Sequence, residues 1–360
     1  MYKKILIINP FGIGDVLFTT PVIRAAKDSC PNSFIGYWCN HKTKDILKDN
    51  PDIDKIFALS RGDLKKIYRQ SFIKGTNIFL SLLKQIRKES FDIALDFSLD
   101  YRYSFIAKLL GIKKRIGFNF KNRGRFLTES IDIEGYKDKH VVEYYLDILR
   151  FLDIGQKEKP ETGLFLSRED ELFAGEFLKS HNLINDGLLI GCAPAGGASW
   201  GGNADYLRWP EQKFTSLIEC LIKKHNVTIL LFGAPEEADI CNRIQSNLSG
   251  NVVNTAGKIT LGQFAALFKR CKIAICNDAG PLHIAVALGI KTVSMCGPVD
   301  PRVYGPYPPD KKKHIILKKY LTCSPCYRNF RLNTCERNKE CLRAITVAEA
   351  IGAVERLLAN

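Results

Sequence analysis

An apolar run, Ile273–Cys276, stops at the polar pair Asn277–Asp278 and is followed at once by Ala279–Gly280–Pro281–Leu282–His283. This order reads as a buried strand turning into a helix, with Gly280 as N-cap, Pro281 at the first position and a core face continuing through Ala285, Val286 and Leu288. A helix that begins this way presents unpaired backbone N–H groups and the positive end of its dipole to solvent. That is the chemistry of an anion site, most often for phosphate. His283 stands in the first turn beside the place of such an anion, and Asp278, at the strand end, can accept hydrogen bonds from sugar hydroxyls. The plainer alternative is an ordinary strand–turn–helix carrying a surface Asp and His.

Three further stretches carry candidate chemistry. Gly12–Ile13–Gly14–Asp15 follows the first apolar run, and its glycines allow close backbone approach to a bound group. Leu17 stands where a dinucleotide fingerprint needs its third glycine, which argues against NAD. Asp15 falls at a helix start, where the dipole favours its charge and draws its pKa downward; from the local sequence alone a plain capping role is the favoured reading. The span Ala193–Pro210 holds Gly196, Gly197, Gly201 and Gly202 and reads either as a flexible cover over a ligand or as a mobile surface loop. At its end Arg208 has the fork geometry to grip a phosphate. In Phe232–Gly233–Ala234–Pro235–Glu236–Glu237, either acid can take ribose hydroxyls, or both merely favour the helix start.

The twelve cysteines divide into scattered and clustered groups. Cys192, Cys220, Cys271, Cys276 and Cys296 lie in or beside apolar segments and read as small core residues. Cys323, Cys326, Cys335 and Cys341 cluster, which allows a four-thiolate zinc site, although the last spacing is loose for one. Reduced packing cysteines are the favoured reading there, and a disulfide the least favoured.

The elements that must position these residues alternate. Strands are expected at Lys4–Ile8, Phe34–Trp38, Lys55–Ala58, Phe91–Leu95 and Arg115–Gly117, with helices near 16–27 (interrupted or kinked at Pro21), 62–73, 76–89, 103–110 and 141–152. A second series runs through strands at Leu188–Cys192, Val227–Phe232, Ile273–Cys276 and Thr292–Met295, with helices near 210–224, 235–247, 260–269 and 281–288. Such alternation implies α/β architecture with mostly parallel sheets, in which ligands sit beyond the C-terminal strand ends. The polar stretch Gly155–Pro160 is the linker candidate, giving domains at 1–160 and 161–345. A last helix, near 346–358 within the tail 346–360, is expected to pack back on the first domain.

The 360 residues are 46% hydrophobic, enough for two full cores, and no apolar run approaches the roughly 18 residues of a membrane span. The first apolar run is too short for a secretory signal and reads as a strand, so a cytoplasmic location is expected. Net charge is +15, with residues 1–160 carrying 29 Lys and Arg against 19 Asp and Glu and the remainder 24 against 19. The excess in the first half points to an acidic partner. Lys113, Lys114, Arg115, Lys121, Arg123 and Arg125 concentrate it in one span. No RNA-binding motif is present, which argues against nucleic acid.

Taken together, Gly12–Ile13–Gly14–Asp15 with Thr20–Pro21, then Arg208–Trp209–Pro210, Gly233 with Glu236, and Asp278–x–Gly280–x–x–His283–x–Ala285 occur in an order that resembles the ADP-heptose:lipopolysaccharide heptosyltransferases, family 9 of the glycosyltransferases. Arg115–Ile116–Gly117–Phe118 and His140–Val141–Val142–Glu143 extend the resemblance over nearly the whole chain. It implies the GT-B fold, two doubly wound, Rossmann-like domains facing across a cleft. The implied reaction is an inverting transfer of a sugar, heptose from ADP-heptose foremost, onto a lipid-linked acidic saccharide such as lipopolysaccharide inner core. It further implies Asp15 as general base, Ala279 and Gly280 as the diphosphate turn, Asp278 on the donor sugar, His283 near the phosphates and Glu236 on the nucleoside. Apart from the nucleotide sugar, no cofactor or metal is required. The family usually has Lys in the place of Arg208, after a shorter hydroxyl-bearing loop, so that loop is a departure. In this light Lys113, Lys114, Arg115 and Arg123 are expected either to bind the acidic acceptor or to rest on the anionic inner face of the cytoplasmic membrane as a peripheral contact. Rival functions on the same fold are a nucleotide-sugar epimerase and a non-catalytic sugar-nucleotide binding protein.

Overall fold

The computed structural model describes residues 4–155, 161–183 and 187–359, so most of the expected linker, 156–160, lies outside the described residues. The chain divides into two compact units, Met1–Phe165 and Leu166–Asn360.

The first unit is built on a parallel sheet of β1 (Lys4–Asn9), β2 (Phe34–Cys39), β3 (Lys55–Ala58), β4 (Ile93–Asp96), β5 (Lys114–Phe120) and β6 (Glu129–Ile133), in spatial order β3-β2-β1-β4-β5-β6. The central strands are nearly continuous apolar runs because both faces are covered by helices. The sheet order reverses between β1 and β4, which pair in register from Ile5 with Ile93 to Ile8 with Asp96. That reversal opens a crevice beyond the carboxyl ends of these two strands. The helix expected near 16–27 is broken in two, Ile13–Leu17 and Thr20–Ser29, with Pro21 in the first turn of the second piece. Proline lacks an N–H, so it is accommodated at a helix start, and the carbonyls left at the break are taken by hydroxyls. Thr19 Oγ1 donates to Val16 O at 2.6 Å and Thr20 Oγ1 to Leu17 O at 2.7 Å.

The second unit repeats the topology without visible sequence repetition. Its strands are β7 (Leu189–Ala193), β8 (Thr228–Leu231), β9 (Val252–Asn254), β10 (Ile273–Asn277), β11 (Lys291–Cys296) and β12 (His314–Lys318). They run parallel in the order β12-β11-β10-β7-β8-β9, which reverses between β7 and β10. The C-terminal helix, Val347–Ala359, belongs to the second unit. Ala350, Ala353, Val354 and Leu357 are buried in the second unit's own core together with Phe214, Leu217 and Leu221 of the helix Glu211–His225. Polar contacts pin the segment before it: Trp209 Nε1 and Lys213 Nζ both donate to Ile345 O, at 3.1 and 2.7 Å. Cys192, Cys271, Cys276 and Cys296 are buried as expected of packing residues, whereas Cys220 is exposed on its helix. Among the described residues, no helix is long and apolar enough to cross a membrane.

Candidate functional site

In the first unit the chain leaves β1 through a short hydrogen-bonded loop. Buried Asn9 accepts from Phe11 N–H at 3.2 Å and donates through Nδ2 to Asp15 O at 3.0 Å. These two bonds fold the loop back on the strand end and fix the position of Asp15. Its carboxylate accepts from the N–H of Gly12, the N-cap of the first short helix, at 3.3 Å. Burial raises the Asp15 pKa to about 6, more than the Gly12 and Asp15 backbone N–H groups lower it. The sequence-based expectation of a lowered pKa is therefore reversed. The dipole of a five-residue helix is weak beside the loss of water around a carboxylate packed near the buried phenols of Tyr37 and Tyr145. A carboxylate of pKa near 6 is ionised at neutral pH yet more basic than an ordinary one, the property a general base needs.

A second carboxylate at the same sheet reversal escaped the sequence reading. Asp96 ends β4 at 5% exposure and accepts from Ser98 N–H at 2.9 Å. Burial is again the largest influence, raising its pKa to about 7 against the opposing Ser98 hydrogen bonds. An Asp closing an apolar strand was the available signal.

The expected basic cluster divides. Lys114 Nζ donates to Phe151 O at 2.6 Å, and Arg115 donates to Phe126 O, Ile112 O and Lys113 O at 2.7, 2.6 and 3.0 Å. These two half-buried side chains already donate to backbone carbonyls of their own unit. Lys113 and Arg123 are exposed, Arg123 lying 5.8 Å from the Phe120 ring centre.

In the second unit β10 delivers Asn277, Asp278 and the helix Gly280–Ala287 to the sheet reversal. The N-cap is Ala279, with Gly280 first in the helix and Pro281 next, one residue earlier than the sequence suggested. The backbone N–H groups of Ala279 and Gly280 donate to no acceptor among the described residues. His283 lies in this first turn and is mostly buried.

The glycine-rich loop lies against this turn and is held on several sides. Gly196 has φ +87°, and a Cβ there would stand 2.9 Å from Ala279 Cβ, so glycine is what lets the loop touch the turn. Asn277, fully buried, donates from Nδ2 to Pro194 O and Ala195 O at 2.7 and 2.9 Å and accepts from Trp209 N–H at 2.8 Å. Glu237 accepts from Gly196 N–H and Ala234 N–H at 2.8 and 2.9 Å. Arg208 donates to Gly196 O at 3.1 Å and lies 3.7 Å from Glu237. Of the two adjacent acids Glu237 is thus the buried organiser, while Glu236 is exposed on the turn. On its outer side the loop meets the cysteine-bearing segment: the Trp200 and Tyr327 rings are 4.9 Å apart, and Lys339 pairs with Asp205 at 2.5 Å.

Asp278 accepts from the Cys296 thiol at 3.4 Å through Oδ2, while its Oδ1 meets no donor among the described residues. Its pKa is raised to about 6 by burial, opposed by the Cys296 hydrogen bond and the nearby Lys318 ammonium. Lys318, at the end of β12, was not anticipated. It donates to Gly297 O and Val299 O at 2.7 and 2.8 Å, and its positive charge works to lower the Asp278 pKa.

The cysteine cluster does not assemble a metal site. Cys323 is exposed and Cys326, Cys335 and Cys341 are half-buried. Among the described residues no three His, Cys, Asp or Glu side chains gather closely enough for an ion. The segment serves as a brace, with the Cys326 and Tyr327 N–H groups donating to Pro298 O at 3.0 and 3.1 Å.

Residues 79–335 match the model of glycosyltransferase family 9 (heptosyltransferase). The chain is 26% identical over 326 residues to lipooligosaccharide heptosyltransferase 2 of Haemophilus influenzae, covering 87% of this chain and 88% of that protein. Its fold is similar to a glycosyl transferase family 9 structure from Veillonella parvula, with TM-score 0.83, 24% identity and coverage of 100% and 98% of the two chains. It is also similar to Escherichia coli heptosyltransferase WaaC in a structure with ADP-2-deoxy-2-fluoro heptose, with TM-score 0.70, 19% identity and coverage of 98% and 99%.

Proposed function

The chain belongs to glycosyltransferase family 9, and on that footing we propose that it transfers heptose from ADP-heptose, with inversion, to a lipid-linked acidic saccharide such as lipopolysaccharide inner core. The observation that carries this reading is the turn at Asp278–Gly280, where two undirected N–H groups, a raised carboxylate and the fitted Gly196 loop converge. N–H groups at a helix start suit a diphosphate, and an adjacent carboxylate suits sugar hydroxyls. The Escherichia coli relative was crystallised with a fluorinated ADP-heptose, in keeping with this donor class.

In the reaction, Asp15 removes the proton of the acceptor hydroxyl as its oxygen attacks the anomeric carbon, and the bond to the diphosphate breaks. Charge gathers on the departing ADP, where the Ala279 and Gly280 N–H groups stabilise it. Asp278 orients the sugar, His283 lies by the phosphates, Glu236 meets the nucleoside, and Arg208 with Glu237 holds the loop in shape. Lys113 and Arg123 remain as cations for the acidic acceptor. A lipid-linked acceptor places the enzyme at the inner face of the cytoplasmic membrane, against anionic lipid.

Calorimetric titration tests the donor assignment. ADP-heptose should bind with a stronger heat signal and affinity than ADP-glucose or UDP-glucose, and Gly280→Val should abolish that preference with the affinity. Equal binding of the three sugars refutes the ADP-heptose assignment.

A further inference from the structure

The membrane contact called for by that reading needs a surface, and in the basic span 113–125 Lys114 and Arg115 already donate to backbone carbonyls. A different surface in the first unit has both properties that a bilayer interface demands. The helix Arg61–Gln70 is followed after Ser71 by the helix Phe72–Glu89. At their corner Phe72 is 74% exposed and Ile73 73%, two adjacent large apolar side chains in water. Within seven residues of Phe72 in the chain stand Lys65, Lys66 and Arg69 on the first helix and Lys74 on the second, all exposed. None of these four makes an ion pair with any described residue.

The corner is firmly built. The Ser71 hydroxyl caps the second helix by accepting from Lys74 N–H at 3.2 Å. Tyr68 packs so closely on Gly75 that a Cβ there would stand 2.6 Å from its ring, and the Tyr68 and Phe72 ring centres are 5.6 Å apart. The aromatic and aliphatic pair is therefore presented outward by packing on its inner side. Residues 61–74 carry five Lys and Arg against the single acid Asp63.

We propose that the corner formed by Phe72 and Ile73, ringed by Lys65, Lys66, Arg69 and Lys74, docks the protein on an anionic phospholipid bilayer, the two apolar side chains entering the headgroup boundary. Buried apolar area and attraction to anionic lipid are the two contributions that hold a peripheral protein at a membrane surface, and this corner combines them. A soluble acidic saccharide would engage the cations but leave the apolar pair in water.

The test is co-sedimentation of the full chain with vesicles containing about a quarter phosphatidylglycerol in phosphatidylethanolamine, at roughly 0.15 M salt. Wild-type protein should pellet with these vesicles and not with phosphatidylcholine vesicles. Phe72→Ser with Ile73→Ser should weaken partitioning at least tenfold. Each Lys65→Gln or Lys66→Gln should weaken it about fivefold, an effect lost at high salt. Wild-type binding to both vesicle types alike, no binding, or undiminished binding of the variants overturns the proposal. So does a concentration-dependent dimer by ultracentrifugation that the double Ser variant abolishes, since the corner would then cover a second copy. ADP-heptose titration of the same variants keeps the two readings apart: lost vesicle binding with intact donor binding concerns the corner alone. Vesicle binding without any donor binding leaves the docking surface standing and removes the enzymatic reading.

Discussion

Asp15→Asn removes the proposed base while keeping the shape of the side chain, and it makes opposite demands on stability and activity. The folded-state pKa of about 6 stands above the ordinary value of 3.8 because of burial. Ionisation therefore costs the native state free energy. The cost is absent below the unfolded pKa, grows as pH rises from about 4 to about 6, and stays constant above that. Two pKa units correspond to about 3 kcal/mol, an upper figure for a side chain that is only partly buried. The Asn variant escapes this cost, and its amide oxygen can still accept from Gly12 N–H. Its Tm at pH 7 should rise by several degrees over wild type, the gain vanishing below about pH 4. Transfer should fall by about 10²–10⁴-fold, while ADP-heptose affinity measured by calorimetry is unchanged. In wild type, kcat/KM should fall on the acid side through about pH 6, and the residual activity of the variant should lack that contribution. Wild-type transfer by Asp15→Asn, or destabilisation equal at pH 4 and pH 7, would refute the reasoning.

Three other perturbations probe the donor half. Gly196→Ala places a Cβ 2.9 Å from Ala279 Cβ at a positive φ, a strain of at least about 1 kcal/mol, so donor affinity should drop roughly tenfold in a titration while far-UV circular dichroism is unchanged. Asn277→Ala leaves the carbonyls of Pro194 and Ala195 and the N–H of Trp209 without their partner; a loss of about 3 kcal/mol, read as a Tm lower by roughly 6–10 °C, is expected. Lys318→Met takes away the cation that restrains the Asp278 pKa, which should then climb above about 6 and move the acid limb of donor binding to higher pH. An unmoved limb would remove Lys318 from the account.

The alternation of strand and helix, the strand-to-helix turn at 278–280 and the helix start at Asp15 were legible in the sequence because each is a local pattern: an apolar run, a punctuating glycine or proline, a charge at the junction. What it concealed is mostly non-local. Edge strand β6, Glu-Ser-Ile-Asp-Ile, is largely exposed and reads as a polar loop, and β9 is only three residues long. Lys318 is 40 residues from Asp278 in the chain, and only the β10-β11-β12 pairing brings their ends together. The same is true of Glu237 and Gly196, which the β7-β8 pairing makes neighbours. The bonds from Lys114 to Phe151 O and from Arg115 to Phe126 O reach backbone carbonyls that no local pattern places beside these side chains. The pKa of Asp15 was misjudged for a related reason: the helix dipole is visible in a local sequence, while the protein packed around a carboxylate is not.

Transfer of heptose from ADP-heptose to an acidic lipid-linked saccharide is tested most directly by incubating purified protein with ADP-heptose and a lipopolysaccharide inner-core acceptor, followed by mass spectrometry. One heptose should be added per acceptor with stoichiometric release of ADP, and no ADP should be released without acceptor. Donor converted to an isomer in the absence of acceptor, or donor bound but never transferred, would contradict it.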